Sequence, residues 1–99
     1  MNVVPYGPKI VLHCTAGVPK GLPQLVEAFI ADGVKYVGVV GKDAELTEDI
    51  IDEYVVGDGS DDTRYILTAS HKVESVDYAL EFARSLTGEY EGEVQLVEV

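Results

Sequence analysis

A histidine and a cysteine stand side by side where a short apolar run ends. Residues 10–12 are Ile-Val-Leu, His13 and Cys14 follow them directly, and a loop containing glycine and proline then leads to Lys20. A cysteine thiolate is a nucleophile, and a lysine side chain attracts an anionic group. The segment from residue 9 to residue 21 therefore predicts one of two chemistries, a reactive thiol or a site that holds a small anion.

The positions of these residues depend on a scaffold that the hydrophobic pattern predicts. Four short apolar runs alternate with three segments in which apolar residues recur at helical spacing. This alternation is typical of an α/β fold with three layers and a mostly parallel four-stranded sheet, in the order β-α-β-α-β-α-β. We expect strands near 9–14, 36–40, 64–69 and 93–99 and helices beginning near Leu22, Asp43 and Val76, in a single domain over residues 1–99.

The expected strand order is 2-1-3-4, which is a shortened flavodoxin-like sheet. Right-handed crossovers in that order place the first helix on one face and the other two helices on the opposite face. Because the sequence closes with a strand, no fourth helix covers strands three and four, where Leu96 lies. We therefore expect a homodimer that buries this face or pairs the edge strand at 93–99 with its twin.

The loops after the first three strands meet at the carboxyl edge of such a sheet, where open α/β folds bind ligands. Each of these loops contains one lysine, namely Lys20, Lys42 and Lys72. Cationic side chains beside a helix N-terminus attract anions, so we expect a small anionic ligand at this edge. The candidate ligand-binding residues are His13, Cys14, Thr15, Lys20, Lys42, Ser70 and His71.

The charge of the chain excludes several classes of partner. Eighteen acidic residues against seven basic ones give a formal net charge of −11. Such a charge repels phosphate backbones and anionic lipid surfaces, which argues against nucleic acid and membranes as partners. No apolar run reaches the roughly 20 residues that a membrane helix needs, and the first residues lack the features of a secretory signal. A single cysteine cannot form an internal disulfide, so we expect a soluble cytoplasmic protein.

Two enzyme families resemble the segment around Cys14. The run HCTAGVPKG is similar to the phosphate loop of cysteine-dependent phosphatases, in which the cysteine is the nucleophile and an arginine binds the phosphoryl oxygens. His13, Cys14 and Gly17 match that pattern, whereas Lys20 replaces the arginine and Gly21 replaces the hydroxyl residue. Sugar-phosphotransferase IIB domains are also similar, with a phosphorylated cysteine at the end of the first of four parallel strands. Both resemblances imply an enzyme that uses Cys14 as a phosphoryl acceptor.

A longer stretch resembles a family of small bacterial α/β domains of unknown function. In that family a segment like AGCRYF-WG-CE-HD-IDE leads to a strand ending in TTWH and then to a helix opening near Glu-Ser. The matching stretches here are GVKYVGVVGKDAELTEDIIDEYVV and LTASHKVES, in which Ser70 replaces the tryptophan. This resemblance implies no activity. The matching positions are Tyr36, Gly41, Glu45, Asp49, Asp52, Glu53, Thr68, His71, Glu74 and Ser75.

Two residues of the phosphatase-like loop favour a non-catalytic module over an enzyme. Lys20 cannot clasp a phosphoryl group with two parallel hydrogen bonds, and Pro19 removes an N–H from the loop. We therefore expect a small α/β module that binds an anion at the carboxyl edge and acts as an oligomer. The alternative is a phosphocysteine enzyme with Cys14 as nucleophile and Lys20 as its cationic partner. The spacing of His13, Cys14 and His71 matches no metal-ligand pattern, so we expect neither a metal site nor a cofactor.

Overall fold

The structure, a computed structural model, describes residues 6–56, 66–71 and 75–99. In this part of the chain, four strands and three α-helices alternate, and all strand pairs are parallel, which confirms the predicted α/β fold. The elements are β1 Lys9–Cys14, α1 Leu22–Ala31, β2 Tyr36–Gly41, α2 Ala44–Val56, β3 Leu67–His71, α3 Val76–Ser85, a 3₁₀ turn Gly88–Tyr90 and β4 Val94–Glu98.

The strand order is 3-2-1-4, so the predicted order 2-1-3-4 was wrong in the position of β3. β3 pairs with β2, and β4 pairs with the free side of β1. Burial explains this arrangement, because β1 and β2 are apolar on both faces and occupy the centre of the sheet. β3 carries Thr68 and Ser70, and β4 carries Gln95 and Glu98, so these two strands form the edges.

The helices are distributed over the two faces of the sheet differently from the prediction, because the strand order is different. The chain steps from β1 to β2 to β3 in one direction, and right-handed crossovers then place α1 and α2 on the same face. It next crosses back from β3 to β4 at the opposite edge, which places α3 on the other face. The helix that lies alone is therefore α3, not α1 as predicted.

Each face of the sheet has its own hydrophobic core. Ile10, Leu12 and Cys14 of β1 pack with α1 and α2, whereas Val11 lies in the smaller core beneath α3. The α1 boundaries agree with the helical spacing, and Gly33 follows the helix with a positive φ of 78°. No helix in the described residues has both the length and the apolar character needed to cross a membrane.

The boundaries of β3 differ from the expected strand at 64–69. β3 continues to His71, so Ser70 and His71 belong to the strand and not to the loop after it. Arg64 and Tyr65, with the predicted acidic loop at 58–62, lie outside the described residues. His71, at the carboxyl end of β3, is only 6% exposed, and its ring packs against α3.

A buried lysine joins the sheet to the end of α3. Lys9 is only 1% exposed, and its ammonium donates hydrogen bonds to the carbonyl of Ala83 at 2.7 Å and to that of Leu86 at 3.2 Å. The last carbonyls of a helix have no partner within the helix, and they carry the negative end of its dipole. Lys9 thus satisfies two of these groups and holds α3 at the amino end of β1.

Tyr36 occupies the same interior, and Gly38 makes room for it. A β-carbon at Gly38 would lie 2.5 Å from the Tyr36 hydroxyl, so any side chain there would displace the ring. The hydroxyl is buried without a hydrogen-bond partner among the described residues, and burial raises the pKa of Tyr36 to about 12. The Tyr36 ring packs beneath α3 with Val11 and Val40, and its centroid lies 6.2 Å from that of Phe82.

Replacing Lys9 with methionine is expected to lower the free energy of unfolding by about 1–3 kcal/mol, because the carbonyls of Ala83 and Leu86 both lose the ammonium as a donor and Ala83 keeps only the N–H of Leu86. Urea denaturation followed by circular dichroism measures this change. The matched control is Lys35→Met, because Lys35 is exposed just before β2 and its replacement should change stability little. A Lys9→Met variant as stable as the parent would show that the cost of burying the ammonium cancels its hydrogen bonds.

Candidate functional site

The loops after β1 and β2 pack tightly against each other at the carboxyl edge of the sheet. Lys42 donates its backbone N–H to the carbonyl of Cys14 at 3.0 Å. Gly41 has a positive φ of 107°, and a β-carbon there would clash with the same carbonyl oxygen. Only glycine fits this position, so the two loops leave no space for a ligand between their backbones.

Asp43 lies between β2 and α2 at the same edge of the sheet. It adopts a positive φ of 56°, which is uncommon for a residue with a side chain, and its carbonyl accepts the backbone N–H of Thr47 at the start of α2. Its carboxylate lies over the loop after β1, where one oxygen is 2.8 Å from the position that a β-carbon of Gly17 would take. A negative charge therefore stands beside the segment that resembles a phosphate loop.

The Cys14 thiol lies inside the core shared with α1 and α2. The residue is completely buried, and burial raises the pKa of the thiol above its ordinary value of 9.0. The nearby Thr47 hydroxyl favours the thiolate, although it makes no well-aligned hydrogen bond, and the Asp43 carboxylate adds to the rise. Because a nucleophilic cysteine needs a low pKa and access to its substrate, this environment favours a structural role.

The crevice between β1 and β4 is the place where the strand order reverses, and such places commonly bind ligands. Here hydrogen bonds span it. Thr15 donates both its backbone N–H and its hydroxyl to the carbonyl of Val99, each at 3.1 Å. Beside this contact His13 Nδ1 lies 3.3 Å from a carboxylate oxygen of Glu98. His13 and Thr15 thus tie β4 to β1.

The predicted site residues share one edge but lie on opposite faces of the sheet. Cys14 is on the face covered by α1 and α2, and the register places Ser70 on that same face. His13 and His71 lie on the face covered by α3, where the His71 ring packs against Tyr78 and Phe82 with centroids 5.7 Å and 5.1 Å away. The sheet itself separates the two groups.

Lys20 and Lys42 are exposed, but their surroundings differ. Lys42 borders an open depression of about 510 Å³, formed by residues 41–46 and Asp49, in which three carboxylates outnumber the one lysine. Lys20 precedes α1, whose N-terminus has no side-chain cap and no acidic residue in its first turn. The N-terminus of α1 is thus a better place for an anion than the depression beside Lys42. Lys72, the third predicted lysine, lies outside the described residues, as does Glu74.

Metal ligands do not cluster in the part of the chain that the structure describes. No group of three or more histidine, cysteine, aspartate or glutamate side chains is placed there to hold an ion. The carboxylates around the depression therefore supply charge without the geometry of a metal centre.

Sequence reasoning missed the exposed aromatic residues of α3. Tyr78 is 52% exposed and Phe82 is 37% exposed, four residues apart on one side of the helix. The signal was present, because neither residue belongs to the apolar stripe Val76, Ala79, Leu80 and Ala83, which packs on the sheet. A large apolar side chain outside the stripe indicates a second contact surface.

A family model described as a domain of unknown function, DUF7684, matches residues 4–99. This match supports the predicted resemblance to an uncharacterised domain family, and it gives no support to the phosphatase and phosphotransferase resemblances. No curated protein and no solved structure matches the chain.

Alkylation by iodoacetamide is expected to leave Cys14 unmodified in the folded protein at pH 7–9 and to modify it fully in urea, as measured by mass spectrometry. The reason is that the thiol is both buried and protonated. Rapid modification of the folded protein at pH 7 would contradict this assignment and revive the phosphocysteine alternative.

The Cys14 thiol also makes the stability of the fold depend on pH, and the direction of this dependence follows from its pKa. Its pKa is raised on folding, so the unfolded chain ionises first, and stability falls as the pH rises above about 9. Cys14→Ala should therefore lose less stability than the parent between pH 8 and pH 10.

Proposed function

The chain belongs to the DUF7684 family, a family of domains of unknown function, and on this premise we propose that it is a non-catalytic module that works as a homodimer. The observation that carries the proposal is the incomplete cover of one sheet face. The described chain covers that side with one ten-residue α-helix, α3, and with Leu86 and Tyr90 after it, and Leu96 of β4 remains 40% exposed. Parallel sheets are normally covered on both faces.

The exposed apolar residues on this side favour a protein surface as the missing cover. Leu96 is exposed on β4, at one edge of the sheet, and the partly exposed rings of Tyr78 and Phe82 pack on His71 of β3, at the other edge. Apolar surface in water is costly, and monomeric proteins keep such surface small. A second copy of the chain is always present at the same concentration, and it offers the same exposed side chains in a two-fold arrangement.

Three features argue against catalysis at the sheet edge. Cys14 is buried with a raised pKa, the loop beside it is overlaid by the Asp43 carboxylate, and the β1–β4 crevice is closed by Thr15 and Val99. A cytoplasmic location accords with a single, unpaired cysteine.

Anion binding is the second candidate function, and the end of α1 favours it. Lys20 is exposed beside a helix N-terminus that lacks both a capping side chain and an acidic residue. A small anion such as phosphate would gain from the lysine charge and from the helix N-terminus, where Pro23 supplies no N–H but no side chain caps the others. The net charge of −11 limits such binding to a local site.

The homodimer predicts twice the chain mass of 10.7 kDa in light scattering at micromolar concentration. Leu96→Glu should weaken association on the order of 100-fold, because like charges meeting across an interface cost several kcal/mol. Leu46→Glu is the matched control, since Leu46 is 54% exposed on α2, on the other face of the sheet. A parent chain that stays monomeric would refute the proposal.

The anion site predicts that phosphate raises the melting temperature more than chloride does at equal ionic strength. Phosphate at 100 times its Kd would stabilise the fold by about 2.7 kcal/mol. Lys20→Ala should remove the difference, whereas Lys35→Ala, at the amino edge, should keep it. Equal effects of both salts on the parent chain would leave only general screening.

A further inference from the structure

The outer edge of β4 has a backbone pattern that fits a second copy of itself. Val99 donates its N–H to His13 and accepts the N–H of Thr15, so both of its backbone groups face β1. The backbone groups of successive residues in a strand point to alternate sides. Val94, Leu96 and Glu98 therefore direct their N–H and C=O groups away from β1. No described strand pairs with this side of β4.

We propose that two copies pair antiparallel along β4, about a two-fold axis that passes beside Leu96. This proposal rests on the proposed homodimer and specifies its contact. With Leu96 opposite its own twin, Val94 of one copy lies opposite Glu98 of the other. All three outward-facing residues then meet outward-facing partners, which gives about six hydrogen bonds between the two strands. A register shifted by one residue would set outward groups against inward ones.

The charges of the segment fit the same register. In a chain with a net charge of −11, edge pairing must keep glutamates apart. With the axis at Leu96, Glu98 faces Val94 and Glu93 faces Val99, so no glutamate side chain lies opposite another. An axis at Glu98 would bring two carboxylates together, and one between residues 95 and 96 would set Glu93 against Glu98. The strand also has no proline or lysine, the residues that commonly block edge pairing.

The pairing has a defined consequence for the exposed side chains. A two-fold axis perpendicular to the sheet keeps the α3 face of both copies on the same side of one eight-stranded sheet. Leu96 lies on that face, because its register partner Val11 belongs to the core beneath α3. The two Leu96 side chains therefore meet at the axis and cover each other, with one α3 on either side.

Cross-linking of variants that each carry one added cysteine tests the register. Val94→Cys, Leu96→Cys and Glu98→Cys are treated with a short bismaleimide in the full chain, and covalent dimer is measured on a denaturing gel. The twin positions of residue 96 lie about 5.5 Å apart between Cα atoms, whereas those of residues 94 and 98 are separated by about 14 Å. The yield should therefore peak at residue 96 and fall equally on both sides.

Leu46→Cys is the exposed control, and native Cys14 is a buried internal one. Leu96→Cys should react roughly ten-fold faster than Leu46→Cys, because docking holds the two thiols at a millimolar effective concentration. A peak at residue 94 or 98, or equal rates at residues 96 and 46, would overturn the register. If light scattering still shows a dimer in that case, the homodimer stands and only the β4 contact fails. A parent chain that is monomeric would refute both the homodimer and the β4 contact.

Discussion

The contact between Lys9 and the end of α3 is the constraint on which this small fold depends. α3 is the only described α-helix on its face, so its position determines whether Val11, Tyr36 and His71 are covered. The Lys9 ammonium fixes one end of the helix through the carbonyls of Ala83 and Leu86. The Ser75 hydroxyl caps the other end by accepting the N–H of Tyr78. Between these two contacts the packing relies on small residues, Ala79 and Ala83, which bring the helix close to the sheet.

Much of the architecture could be predicted from hydrophobic periodicity, whereas the order of the strands could not be predicted by the same means. Periodicity identifies strands and helices, but it does not state which strands are neighbours. The polar residues of β3 and β4, such as Ser70 and Gln95, were the available signal for edge strands. Lys9 was also beyond a sequence prediction, because a lysine at the start of a strand usually faces water and its partners here lie more than 70 residues away.

The candidate site, too, could be predicted only in part from the sequence. The sequence placed His13, Cys14 and Lys20 at the carboxyl edge, and the structure keeps them there. The sequence could not reveal on which face of the sheet each side chain lies, because that depends on the register of the strands. Nor could it reveal the positive φ of Asp43, by which a carboxylate lies over Gly17. This single backbone conformation brings a negative charge next to the middle of the phosphate-like loop.

The pairing of β1 with β4 also determines the order in which the molecule can fold. β1 is a central strand, yet one of its two neighbours is separated from it by 85 residues, as the contact between His13 and Glu98 illustrates. During synthesis β1 and β2 can pair early, but one side of β1 stays open until residues 94–98 have been added. Contacts between such distant segments slow folding and expose unpaired strand edges meanwhile. A nascent chain of this kind depends on its last strand to close the core, and shortening that strand should impair folding yield before it alters any ligand site.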